Sequence, residues 1–357
     1  MAKILIVRLG AMGDILHALP VATGIRTALP DATIGWLVED RWSELLTAQG
    51  RKATPNSVSP KKPIVNNIHT VDTRRWRKQF YKPKSTTEIL GALRRVRKID
   101  YDVAIDFQGA IKSGLLARIG GAETIAGFET PRESGTRIFY RKKFPRRGEH
   151  VIEQNHALAT QALQSILGGR ELPLTAPILP ADPAAEAWVE AEIARLGIAS
   201  FAIVNPGAGW GAKQWPAERF GEVAKALAMH NIKTLVNASA DEARLQQAVI
   251  DASGGNAFAL RSTIGQLIAL TRHARLFIGG DTGPLHVAAA LQVPVVGLYG
   301  PTDPARTGPY GTQAITLRHP ESETTFSHHS EAETGLLKIT AAEVIAAARQ
   351  LLGSRNA

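Results

Sequence analysis

Short runs of apolar, β-branched residues alternate with longer stretches of helical periodicity along the 357-residue chain. That alternation predicts parallel strands buried on both faces and covered by helices, an α/β fold. In the first half it predicts strands at Lys3–Val7, Thr33–Val38, Asn67–Val71, Tyr101–Asp106 and Thr124–Phe128. Helices are expected near Ile15–Ala28, Thr87–Lys98, Lys112–Arg118 and Glu153–Leu167. The segment Gly168–Pro183, dense in proline and glycine, breaks the pattern and reads as an interdomain linker. The alternation then restarts, with strands at Phe201–Asn205, Lys233–Asn237, Ala257–Leu260, Leu276–Gly279 and Val293–Leu298. Helices follow at Ala217–Ala228, Asp241–Ser253, Thr263–Arg272, Gly283–Leu291 and Ala341–Leu352, and Thr263 to Gln266 has the form of a capping box. The expected organisation is a first domain at 1–170, a linker at 171–184, a second domain at 185–335 and a last helical segment at 336–357. Each domain is expected to be a doubly wound sheet, a fold that binds ligands beyond the carboxyl ends of its strands.

Composition narrows the class. Hydrophobic residues make up 44% and there is no cysteine, which excludes disulfides and thiolate metal sites. No stretch of about 20 apolar residues is present, so no membrane-spanning helix is expected. The apolar run at the N-terminus ends in Arg8 and is too short for a signal peptide, so a cytoplasmic location is expected. Charge is uneven: residues 1–180 carry 28 Lys and Arg against 16 Asp and Glu, and residues 181–357 carry 14 against 16. The basic half suits an anionic membrane surface, a phosphorylated acceptor or nucleic acid.

Four segments carry candidate chemistry. Gly10-Ala11-Met12-Gly13-Asp14 follows the first strand, and Asp14 is either a helix cap or a general base. Gly279-Gly280-Asp281-Thr282-Gly283-Pro284-Leu285-His286 runs from a strand through a Gly-rich turn into a helix, where free amides and the helix dipole favour phosphate. There Asp281 and Thr282 could serve as simple caps, and His286 could be a packed, hydrogen-bonded histidine. The Gly-rich loop Asn205–Pro216 offers Lys213 as a point charge for phosphate. Arg74, Arg75, Arg77 and Lys78 form a dense basic run that could grip carboxylates or phosphates. Neither a dinucleotide fingerprint nor a Walker sequence is present in these loops.

Five motifs together resemble the lipopolysaccharide heptosyltransferases. They are the Gly-x-x-Gly-Asp turn ending at Pro20, the stretch Asp106-Phe107-Gln108-Gly109-Ala110-Ile111-Lys112-Ser113, the loop ending Lys213-Gln214-Trp215-Pro216, the turn from Asp281 to His286, and Tyr299-Gly300-Pro301-Thr302-Asp303-Pro304. They fall in order over nearly the whole chain, and the basic run with the Asp106–Ser113 stretch is most like heptosyltransferase I. The resemblance implies a GT-B architecture, two Rossmann-like domains facing across a cleft, with the last helix packing back toward the first domain. It implies an inverting transfer of L-glycero-D-manno-heptose from ADP-heptose to the Kdo of Kdo-lipid A, without cofactor or catalytic metal. By resemblance Asp14 is the base and Lys213 acts on the donor phosphates, with Gly207, Ala208, Glu242, Ser262, Asp281, Thr282, Gly283 and His286 around the donor. Arg74, Arg75, Arg77, Lys78, Gln108 and Arg132 match the acceptor side. The expected partners are ADP-heptose, Kdo-lipid A and the anionic cytoplasmic membrane surface, and no nucleic acid. The alternatives are heptosyltransferase II, which adds the second heptose, and a non-catalytic basic binder of nucleotides or nucleic acid.

Overall fold

The computed structural model describes residues 1–48, 55–79, 83–325 and 330–353. The basic pair Arg51 and Lys52 lies outside them. The chain divides into two units, Met1–Ala181 and Asp182–Ala357.

Unit 1 carries β1 (Lys3–Val7), α1 (Met12–Ala28), β2 (Thr33–Glu39), β3 (Asn67–Val71), α2 (Thr73–Gln79), α3 (Pro83–Arg97), β4 (Val103–Asp106), α4 (Ile111–Ile119), β5 (Thr124–Phe128), β6 (Lys142–Phe144), α5 (Val151–Ala162) and α6 (Gln164–Leu167). Its parallel sheet has the order β3-β2-β1-β4-β5-β6. The central strands are buried along almost their whole length, which is why they read as unbroken apolar runs. One sheet face packs Leu5, Val7, Ala104 and Ile125 against Trp76, Leu93, Val96, Leu116 and Ala117 from α2, α3 and α4.

Unit 2 carries α7 (Pro183–Leu196), β7 (Phe201–Asn205), α8 (Ala217–Ala228), β8 (Lys233–Asn237), α9 (Ala243–Ala252), β9 (Ala257–Leu260), α10 (Ile264–His273), β10 (Leu276–Gly280), α11 (Gly283–Ala290), β11 (Val295–Tyr299), α12 (Pro304–Thr307), β12 (Ala314–Arg318), α13 (Thr334–Lys338) and α14 (Ala341–Gly353). Its parallel sheet has the order β12-β11-β10-β7-β8-β9. On one face α8, α9 and α14 cover the sheet, and on the other α7, α10 and α11 do. The architecture is therefore α/β of the GT-B type, with two Rossmann-like doubly wound units.

Several elements differ from the sequence pattern. Helix α7 falls between the expected linker and β7, where no helix is expected. Asp182 caps it by accepting hydrogen bonds from the Ala184 and Ala185 amides, Pro183 sits in the first turn, and Gly197 ends it with φ 62°. The edge strands β6 and β12 are absent from the expected set because their half-exposed sequences lack a long apolar run. The basic run, for which no element is expected, forms α2. The buried residues of helix α14, Ala341, Val344, Ala347, Ala348 and Leu351, belong to the core of unit 2. The capping box at Thr263 and Gln266 forms as read: the Gln266 amide donates to Thr263 Oγ1 at 3.2 Å, and the Thr263 amide donates to Gln266 Oε1 at 2.9 Å.

Candidate active site

Both strand orders reverse direction once. In unit 1 the chain leaves β1 toward β2 and returns at β4, so the loops after β1 and β4 diverge from neighbouring strand ends. Unit 2 has the same switch between β7 and β10. Such points open a crevice that backbone does not fill. The candidate residues gather at both.

At the unit 1 switch point, Asp14 lies in the first turn of α1. It is not the N-cap, which is Ala11; its Oδ2 reaches back to accept the Ala11 amide at 2.9 Å. Arg8 at the end of β1 pairs with the same oxygen at 2.6 Å, and the Asp14 side chain is 37% exposed. Asp14 Oδ1 takes no hydrogen bond among the described residues. Arg8 also donates to the Phe107 carbonyl, which ties the loop after β1 to the loop after β4. Gln108 reinforces that tie, since its Oε1 accepts the Leu9 and Gly10 amides at 3.1 and 3.4 Å. Gln108, expected on the acceptor side, is buried and braces the loop after β1.

The Asp106–Ser113 stretch has a structural rationale. Asp106 is fully buried, and its carboxylate accepts hydrogen bonds from the Gln108 and Gly109 amides, Ser113 Oγ and Tyr140 Oη. Burial pushes this carboxyl up, against the pull of those four donors. Gly109 sits at φ 64°, and a Cβ there would stand 3.0 Å from the Arg132 amide nitrogen, so glycine suits the close approach of the two loops. The same contact brings Arg132, which is exposed, beside Gly109. Of the basic run, Arg74, Arg77 and Lys78 are exposed. Arg75 is held by Asp72 and Glu88. Lys112 reaches Thr73 Oγ1 at 3.4 Å, and Arg74 lies close enough to Arg41 to depress its guanidinium after burial does.

At the unit 2 switch point, Lys213 and Asp281 join the two diverging loops. Lys213 Nζ donates to Asp281 Oδ2 at 2.6 Å and to the Asp281 carbonyl at 3.3 Å. His286 Nε2 meets Asp281 Oδ1 at 3.1 Å. Burial would raise the Asp281 carboxyl, but His286 and then Lys213 outweigh it and hold it well below the ordinary carboxylate range. Lys213 also lies over the Trp210 ring, 5.2 Å from its centroid. Thr282 is the N-cap of α11, yet its side chain makes no capping bond and its buried Oγ1 has no partner among the described residues.

The remaining residues expected around the donor line the carboxyl ends of β7, β8 and β9. Ser262 Oγ donates to Asn237 Oδ1, Asn237 Nδ2 to Asn205 Oδ1, and Asn205 Nδ2 to the Gly207 carbonyl, at 3.1, 2.8 and 2.9 Å. Glu242 is fixed by the Ser239 amide and hydroxyl, both at 2.8 Å. It lies so close to Gly207 that a Cβ there would be 2.0 Å from Glu242 Oε1. Gly207, Ala208, Glu242 and Ser262 thus lie along one edge, with Lys213, Asp281, Thr282, Gly283 and His286 at the switch itself. Sequence reasoning missed Arg8, Asn205 and Asn237. Each is a polar residue that closes or follows an apolar strand, and that position is the signal that would have found them.

A model described as Glycosyltransferase family 9 (heptosyltransferase) matches residues 89–336. The chain is similar to lipopolysaccharide heptosyltransferase 1 of Pseudomonas aeruginosa, 28% identical over 319 residues that cover 88% of this chain and 83% of that protein. It is similar to lipopolysaccharide heptosyltransferase 1 of Escherichia coli K12, 26% identical over 322 residues covering 89% and 94%. Among solved structures, E. coli heptosyltransferase WaaC with ADP shares the fold with a TM-score of 0.77 at 24% identity, covering 98% of this chain and 99% of that one. The motif-bearing loops at both switch points and a family match over more than half the chain agree: this chain belongs to glycosyltransferase family 9, the heptosyltransferases.

Proposed function

We propose that the chain is heptosyltransferase I of lipopolysaccharide inner-core synthesis, transferring L-glycero-D-manno-heptose from ADP-heptose to the Kdo of Kdo-lipid A with inversion. The observation that carries this is the Lys213–Asp281–His286 cluster at a switch point, beside the unpartnered Thr282 hydroxyl and the start of α11. An ammonium has three donors, and Asp281 takes two of them. The third, with Thr282 Oγ1 and the Gly283 amide, suits a diphosphate whose negative charge grows as the sugar–phosphate bond breaks. Glu242 and Ser262 extend along the strand ends toward the ribose, with Gly207 and Ala208 as the backbone against it.

Unit 1 supplies the acceptor chemistry. The acceptor hydroxyl gives its proton to Asp14 Oδ1 as its oxygen bonds to the anomeric carbon, and ADP leaves with the electrons of the broken bond. Arg8 and the Ala11 amide hold the other carboxylate oxygen and so fix the base's orientation. Arg74, Arg77, Lys78 and Arg132 meet the acceptor's carboxylate and phosphates, and Arg75 steadies the helix that presents them. No described helix is long and apolar enough to cross a membrane. The basic first unit favours peripheral attachment to the cytoplasmic face of the inner membrane. Product analysis with Kdo-lipid A and with its heptosylated form tests the reading: extension of Kdo-lipid A supports it, and extension of only the heptosylated form assigns heptosyltransferase II.

A further inference from the structure

Helix α4 is inverted for a surface helix. It buries Ser113, Gly114, Leu116 and Ala117, and it presents Ile111, Leu115 and Ile119 at 47%, 43% and 41% exposure. At about 100° per residue, its exposed positions run in the order Arg118, Ile111, Leu115, Ile119, Lys112 across an arc of roughly 120°. The result is an apolar stripe with one cation on each side. The 3-10 turn Ser134–Phe139 packs against the same helix, its Phe139 ring against Gly114, and it raises Ile138 to 82% exposure. Around Ile138 the chain is strongly basic: residues 131–147 hold seven Lys and Arg and one acid, Glu133. That acid accepts a hydrogen bond from the Ile111 amide at the start of α4. Arg137, Arg141, Lys142 and Lys143 stay exposed, and α3, packed on α4, adds exposed Leu90 and Arg94.

Large apolar side chains ringed by cations match the chemistry of a bilayer with anionic headgroups, where the apolar tips enter the acyl boundary and the cations meet phosphate. We propose that the outer face of α4, with the turn carrying Ile138, is the surface by which this chain docks on an anionic phospholipid membrane. The face begins at the acceptor loops: Ile111 and Lys112 follow Gln108–Ala110, and Lys112 touches Thr73, next to Arg74. A lipid-anchored acceptor could then keep its acyl chains in the bilayer while its sugar meets Asp14, an extension that rests on the proposed function.

The test is flotation of the full chain with vesicles of phosphatidylcholine alone or containing phosphatidylglycerol. The native chain is expected to float with the anionic vesicles only, and less as salt rises. Ile138→Glu, and separately Leu115→Asp with Ile119→Asp, should weaken binding at least about tenfold, and Arg118→Glu by roughly fivefold or more. Thermal unfolding checks that each is folded, and Ile138→Glu, at the most exposed position, is the safeguard. Turnover of a deacylated, soluble Kdo acceptor should be unchanged in all three. Variants that float like the native chain overturn the proposal. So does loss of a native dimer in sedimentation with unchanged flotation, which would make the face a contact between copies. A native chain that floats yet transfers no heptose to the soluble acceptor removes the functional reading and leaves the docking surface standing.

Discussion

Replacing Lys213 with methionine should separate the stabilising role of the Lys213–Asp281 pair from its chemical role. The two side chains are 12% and 9% exposed and 2.6 Å apart. Removing one partner of a buried pair typically costs about 3–5 kcal/mol. His286 remains on the other Asp281 oxygen, so the low end, about 3 kcal/mol, is expected for Lys213→Met. For a unit of this size that is a fall of about 6–12 °C in melting temperature. Asp281→Asn, which strands the ammonium instead, should likewise cost about 3 kcal/mol. The double variant buries no unpaired charge, so it should be more stable than the sum of the singles by about 1–3 kcal/mol. Turnover should not recover with stability: all three variants should lose about a hundredfold or more, as for removal of a preorganised charge facing a leaving group. The depressed Asp281 carboxyl sets the pH sign. Its stabilisation is full above the unfolded value of about 3.9 and is lost as pH falls through the lower folded value. The native advantage over Asp281→Asn should therefore shrink only in strong acid. Scanning calorimetry and ADP release on the same preparations decide the matter. Additive losses of stability, or turnover that returns in the double variant, would refute the reasoning.

Asp14→Asn should lower turnover at least about a hundredfold with the circular dichroism spectrum and melting temperature nearly unchanged; near-native turnover would reduce Asp14 to a helix-terminal hydrogen-bond acceptor. Replacing Arg74, Arg77 and Lys78 with alanine should raise KM for Kdo-lipid A and leave that for ADP-heptose unchanged, and added salt should mimic part of the effect; a rise in the donor KM alone would contradict the assignment. Burial, and next the charge of Arg95, lower His69 to about 4, and its ring bonds Tyr101 Oη at 2.8 Å. Unfolding then takes up a proton between about pH 6.5 and 4, so stability should fall by up to about 3 kcal/mol over that window, and His69→Gln should flatten the profile in acid titrations followed by tryptophan fluorescence.

The strands that build both switch points were legible because they are buried on both faces and so read as unbroken apolar runs. Lys142–Phe144 and Ala314–Arg318 were not, because the first is three residues long with both lysines exposed and the second has no fully buried position. Helix α7 announces itself by Asp182-Pro183, but the prolines before it pulled the reading toward a linker. Glycines and charged residues after strands marked the loops that the strand order brings to the two switch points. The pairings inside them were illegible, because partners as distant as Lys213 and Asp281 meet only through strand order. Asp14 shows the finer limit: its type and place left a cap and a general base both open, and the helix begins one turn before the expected Ile15, at Met12, so that Asp14 shares one oxygen with Arg8 and Ala11. The bracing role of Gln108 was equally illegible, because the two amides it satisfies belong to the loop after β1, far away in sequence.

The most direct test of heptosyl transfer is ADP release by the purified chain from ADP-heptose, with and without Kdo-lipid A, with the lipid product weighed by mass spectrometry. The account predicts ADP release that depends on the acceptor and matches, mole for mole, the appearance of a singly heptosylated Kdo-lipid A. Release that ignores the acceptor, or a Kdo-lipid A of unchanged mass, would contradict it.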